Sequence, residues 1–301
     1  MAEVRRDRLH RRYRRYGRLG AVLALLCVGT AVAVGFGITR PLPRGPSLDA
    51  VHARGVLVVG VRQYARPAPP KAPTPPQPDH FDVAMAGFLA ERLGVVLRVV
   101  GLPGEPGSPA WQAAQRDLDV VIAGATRAGD GLFTVSSAYA TGPGALLVLR
   151  GSRYQRVGEL RGQPVCVGQG SPYATHIAAD IQAVPRFYAS SIRAASGFLA
   201  GECQALADDA PVIARLLTLQ AWRFYRRLDA DLQPADDAAP GVDSGGARIA
   251  LRASDPQSTA WLDHAVRDWR RDGALARARE QRAGDIAFEA SQLQDGLVCH
   301  S

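Results

Sequence analysis

From Val56 to Arg252, short β-branched runs alternate with stretches whose apolar residues recur at helical spacing. A chain patterned this way is confined to α/β architecture with parallel strands. Val56-Leu-Val-Val-Gly-Val61 is apolar throughout, as a strand buried on both faces requires. Phe81 to Leu93 then places Met85, Phe88, Leu89 and Leu93 on one helical stripe. The alternation continues through a strand at Val96–Leu102, a helix around Trp111–Gln115 and a strand at Leu118–Gly124. After Ala145–Arg150 the series restarts with a strand at Pro164–Gly168, a helix from about Ser171, a helix near Ile192–Ala200 and a strand at Cys203–Asp209. A late strand, Ala247–Arg252, precedes a helix from Pro256 to Gly273 with Trp261, His264, Ala265 and Trp269 on one face. Two stretches read as loops: Pro67 to Pro78, and the Asp/Pro/Gly-rich Pro234 to Gly246.

The formal net charge of +8 has a local origin. Nine arginines against Glu3 and Asp7 fall within residues 1–40, so the body is nearly neutral, and a nucleic-acid partner is not expected. The basic residues 1–18 read instead as a cytoplasmic flank. Residues 19–39 carry no charge and, as a helix, reach about 30 Å, the thickness of a bilayer's hydrocarbon. That segment is a signal-anchor, or a signal peptide cut near Ala31-Val32-Ala33. Cys27 within it reads as a membrane-buried thiol, because Leu26 is bulky where lipoprotein processing needs a small residue. Proline-rich residues 40–48 read as a linker.

Export places Cys166, Cys203 and Cys299 in an oxidising space. Cys166 and Cys203 then either pair or serve as small core residues. The chain has no His-Glu-x-x-His, Gly-x-Ser-x-Gly or Gly-x-x-x-x-Gly-Lys, and Gly168-Gln-Gly170 is too short for a dinucleotide fingerprint. His176 and His264 stand singly on helices. No catalytic residue, metal or cofactor is expected.

The order of segments across residues 50–280 resembles the family-3 periplasmic solute-binding proteins, the polar amino-acid binders of ABC importers. Carrying the resemblance are Gly55–Val61, Phe81-Asp82-Val83, Leu118–Gly124, Gly158–Gly162 followed by Val165–Ser171, Gly201–Asp209, and Asp272-Gly273. It implies a two-lobed α/β fold of the periplasmic-binding-protein type II kind with a ligand cleft, preceded here by one hydrophobic helix. One lobe would comprise residues 49–148 plus 247–285 and the other 149–246, with a tail at 286–301. It also implies a small polar ligand such as an amino acid, an ABC permease as partner, and a periplasmic place at the inner membrane, held by residues 19–39 if these are uncleaved. A membrane-tethered sensor or accessory protein, and a lyase on the same scaffold, are the alternatives.

A zwitterion in a dry cleft needs donors for its carboxylate and a carboxylate for its ammonium. Asp209 matches the family's ammonium-binding acid; otherwise it caps the next helix. Gly170 and Ser171 fall at a strand-to-helix turn whose free N–H groups suit an anion, although Ser171 is also a plain N-cap candidate. Thr126 and Arg127, after Gly124, lie where the family carries a carboxylate-binding arginine. That segment is about two residues short here and lacks the usual Pro-Glu pair, so Arg127 reads equally as a surface residue. Tyr64 stands near the family's aromatic wall, or is a partly buried structural tyrosine.

Overall fold

The computed structural model describes residues 42–66, 75–103, 108–114, 116–125, 133–140, 142–234, 248–252 and 255–298. Residues 43–301 form one compact unit. Residues 19–39, Thr126, Arg127 and Cys299 lie outside the described residues, and none of the described helices is long and apolar enough to cross a membrane.

The first sheet gathers β1 (Val56–Tyr64), β2 (Gln77–Pro78), β3 (Val96–Leu102), β4 (Val120–Ala125), β5 (Phe133–Ala138) and β11 (Arg248–Arg252). Parallel β3, β1 and β4 form its centre, and β11 returns late in the chain to lie antiparallel between β4 and β5. Both faces of β1 are covered. Leu57, Val59 and Val61 pack on Met85 and Leu89 of α2 (His80–Leu93), while Val58 packs with Leu102, Leu118 and Trp111. Trp111 belongs to the short α3 (Pro109–Ala114). Burial on both sides is why β1 is apolar from Val56 to Val61.

The second sheet runs in the order β10 (Tyr225–Leu232), β6 (Gly144–Leu149), β9 (Ala205–Asp209), β7 (Pro164–Gly168) and β8 (Val184–Tyr188). The short α4 (Ala174–Ala179) follows β7. One face of the sheet is covered by α5 (Ser191–Leu199), α6 (Ala210–Leu216) and Trp222. Cys166 on β7 and Cys203 just before β9 are joined by a disulfide, with Cα atoms 5.6 Å apart.

Several boundaries differ from those read in the sequence. Residues 45–54 form α1 (Gly45–Arg54), which takes up the last four residues, 45–48, of the stretch read as a linker. Pro46 sits in its first turn, where a proline costs no hydrogen bond. Leu48 is fully buried, and the Ser47 hydroxyl donates to Asp255 at 2.5 Å. That bond ties α1 to the start of α7 (Pro256–Arg271). Strand β6 belongs to the second sheet, so in the first pass of the chain through the first lobe the last strand ends at Ala138, short of residue 148. The helix expected from Ser171 begins at Ala174, and the end of the Pro67–Pro78 loop pairs with β1 as β2. Residues 286–298 are no separate tail: they continue α8 (Ala274–Val298). Ala283, Ile286 and Ala290 of that helix recur at helical spacing and pack into the second lobe's core.

Candidate functional site

Strands β7, β8 and β9 run parallel, and β1 runs parallel to β4, so each sheet offers a row of carboxyl ends. Ligands of open α/β sheets bind beyond such ends. A cleft lies there, walled on one side by Arg62, Tyr64, Asp79, Phe81 and Tyr139 and on the other by Gly168–Ser171, Ser190–Ser191 and Asp208–Asp209. Helix α8 contributes Arg282, Asp285 and Ile286.

On the first wall, Asp79 is the N-cap of α2, accepting from the backbone N–H groups of Phe81 at 2.9 Å and Asp82 at 3.1 Å. Its burial alone would raise its pKa, but nearby Arg62 and Arg282, together with the two N–H donors, hold it below the usual carboxylate value. Behind it Asp82 is fully buried, receives Arg62 Nε at 2.9 Å and accepts the Tyr139 hydroxyl at 2.6 Å. Burial, with the charge of Asp79 added, pushes the Asp82 carboxyl up despite Arg62. The same arginine donates through Nη1 to the Gln169 carbonyl, bridging the two lobes.

On the second wall, Gly170 adopts φ +73°, the left-handed conformation that lets the chain turn sharply after β7. The Ser171 hydroxyl accepts from the Tyr173 N–H at 3.3 Å, so it shapes the turn and does not cap α4, whose N-cap is Tyr173. Asp209 is the N-cap residue of α6, but its side chain makes no capping bond. It faces the cleft instead, accepting the Tyr173 hydroxyl at 2.5 Å and Arg282 Nη1 at 2.6 Å, with Arg279 Nη2 at 3.4 Å. Asp208 accepts the same Arg282 Nη1 at 3.0 Å. Tyr173 reaches Asp209 because residue 144 is glycine: a Cβ there would stand 2.6 Å from the tyrosine ring.

The two adjacent carboxylates share one environment unequally. Burial pushes both up, but two arginines and the tyrosine hydroxyl outweigh it at Asp209, which stays below the ordinary value. Asp208 is raised by burial and by repulsion from Asp209, with Arg282 only partly offsetting both.

Of the residues singled out in the sequence, Asp209, Ser171, Gly170 and Tyr64 come together in this cleft. Gly124 lies in β4. Arg62, Asp79, Asp208 and Arg282 were not anticipated. The Asp79-His-Phe-Asp82 run carries an N-cap signal that marks Asp79. Arg282 carries none, because only tertiary packing brings it across from a distant helix. Among the described residues, no group of three His, Cys, Asp or Glu is placed to hold a metal ion.

Two lobes, each with its own sheet, a late strand returning to the first, and a charged cleft at the strand ends define the two-lobed type II periplasmic-binding-protein fold. No protein-family model and no curated protein matches the chain. Solved structures do. An amino-acid ABC transporter substrate-binding protein from Streptococcus pneumoniae, bound to L-arginine, is 18% identical with a TM-score of 0.55, covering 80% of this chain and 98% of that one. AncCDT-1, an ancestral amino-acid-binding protein described as a precursor of cyclohexadienyl dehydratase, is 22% identical with a TM-score of 0.51, covering 78% and 99%. The fold is that of the amino-acid ABC transporter substrate-binding proteins.

Proposed function

We propose that this protein is the extracytoplasmic substrate-binding protein of an ABC importer, taking a small polar solute of the amino-acid class or similar between its lobes. The observation that carries the reading is the cleft: buried Asp208 and Asp209 of one lobe face Arg62 and Asp79 of the other, with serine hydroxyls and a glycine turn beside them. Such convergent charge suits a small polar ligand better than an apolar one. An ABC permease is the partner this reading requires, and residues 19–39, if uncleaved, hold the protein at the membrane. Asp209, Gly170, Ser171 and Tyr64 are the contacts we assign to the ligand, with Gly124, Thr126 and Arg127 completing the set on the first lobe.

The cleft encloses only about 60 Å³, whereas clefts that hold drug-sized ligands run to roughly 300–1,000 Å³.

Thermal melts of the full chain, purified in mild detergent, against amino acids, polyamines and small organic acids test the proposal. A ligand at about 100 times its dissociation constant adds roughly 2.7 kcal/mol, which for a chain of this size raises the melting temperature by about 5 °C or more. At least one compound is expected to do so. Silence across the panel would count against solute binding.

A further inference from the structure

Arg282 occupies the place that a ligand's cation would take. Its Nη1 donates to Asp209 at 2.6 Å and Asp208 at 3.0 Å, and its Nη2 to the Ser191 hydroxyl at 2.6 Å. The guanidinium carbon stands 6.0 Å from the centre of the Phe81 ring on the opposite wall. One side chain from within the chain thus contacts both walls with a charged, forked hydrogen-bonding pattern and an aromatic face, the means by which proteins hold guanidinium groups.

The helix that carries it is fixed at both ends of the crossing. Ala274, Leu275 and Ala278 of α8 pack in the first lobe's core, and Ala283, Ile286 and Ala290 in the second's. Farther along, Glu289 pairs with Arg66 and Asp285 accepts from or pairs with His80 at 2.9 Å, both from the first lobe, while Glu280 pairs with Arg215 of the second at 2.6 Å. Arg282 lies at the point where α8 passes from one core to the other, and the helix cannot withdraw it without breaking these contacts.

We infer that Arg282 is the specificity-determining residue of the cleft: as a built-in counter-cation it satisfies Asp208 and Asp209, and so turns away solutes that present an ammonium or guanidinium group there. The inference rests on the solute-binding reading and narrows it to solutes that present no cationic group to Asp208 and Asp209; an amino acid qualifies only with its ammonium held elsewhere in the cleft. It also accounts for the small space left in the cleft.

The test compares the wild-type chain with Arg282→Ala and Arg282→Lys, following melting temperature against methylguanidinium chloride and ethylammonium chloride, with sodium chloride matching ionic strength. Removing the arginine leaves the two carboxylates short of a cation. Arg282→Ala is therefore expected to bind these cations at least about 30-fold more tightly than wild type, the factor that loss of one buried charge partner sets. Arg282→Lys keeps a cation in place and is expected to stay insensitive. If Arg282→Ala does not fold in buffer, millimolar methylguanidinium is expected to restore it, and no restoration would overturn the inference. Equal binding by wild type, or a folded Arg282→Ala that binds neither cation, would also overturn it. The reading beneath it fails separately, when no compound of any charge shifts the wild-type melt.

Discussion

Replacing Asp209 by alanine is expected to lower the unfolding free energy by about 3 kcal/mol, at the lower end of the cost of breaking a buried ion pair from one side. The residue is 7% exposed, and its carboxylate accepts from both Tyr173 and Arg282. Its removal leaves the tyrosine hydroxyl and one face of a guanidinium without their partner. Asp208 remains on Arg282, which keeps the loss from reaching the upper end of that range. Urea unfolding followed by tryptophan fluorescence measures the difference. Because the pKa of Asp209 is held below its ordinary value, the stability it contributes is fully present above that ordinary value, near pH 4, and disappears as pH falls through the depressed one. The gap between wild type and Asp209→Ala should therefore be constant from pH 6 to 8 and close on the acid side. A variant within about 0.5 kcal/mol of wild type, as an ordinary surface change would be, would contradict the geometry described.

Loss of the Cys166–Cys203 bond should cost still more. The two cysteines are 37 residues apart in sequence, and opening a loop of that length frees about 4 kcal/mol of denatured-chain entropy in the loop-closure treatment. Both are buried, against Phe198 and Leu206 in the second lobe's core, so nothing in solvent replaces the link. A Cys166→Ala/Cys203→Ala protein, and wild type unfolded in dithiothreitol, are both expected to show this decrease in urea unfolding. Unchanged stability under reduction would mean that the bond does not staple the lobe. The same bond fits an oxidising compartment and thus the extracytoplasmic reading.

The parts of the fold that were legible in the sequence are those with unambiguous burial. Strands β1 and β7 are short, buried apolar runs: the ends expected for β7 are those observed, and β1 starts where expected but runs three residues past Val61, through Arg62-Gln63-Tyr64. Strands β8 and β10 sit at the edges of the second sheet and carry exposed side chains, so their sequences, Val-Pro-Arg-Phe-Tyr and Tyr-Arg-Arg-Leu-Asp-Ala-Asp-Leu, lack the apolar run or clean alternation that marks a strand. Helix α8 gave no sequence signal of its own after Gly273, because the residues it buries are mostly alanines, which carry little hydrophobic pattern. Asp209 and the Gly170-Ser171 turn were legible as strand ends, where chemistry gathers in open sheets. That Asp209 already has an internal cation was not, since residues 209 and 282 are brought together only by the packing of α8 across the two lobes.

Hydrogen–deuterium exchange of the full chain, with and without the compound that gives the largest rise in melting temperature, tests the assignment of the cleft as the binding site most directly. Bound solute should slow exchange together at residues 79–84 of the first lobe and at residues 166–172 and 206–211 of the second, because the cleft is walled by both. Slowing confined to the separate concavity lined by Arg161, His176 and Asp231, with the cleft-facing segments unchanged, would contradict it.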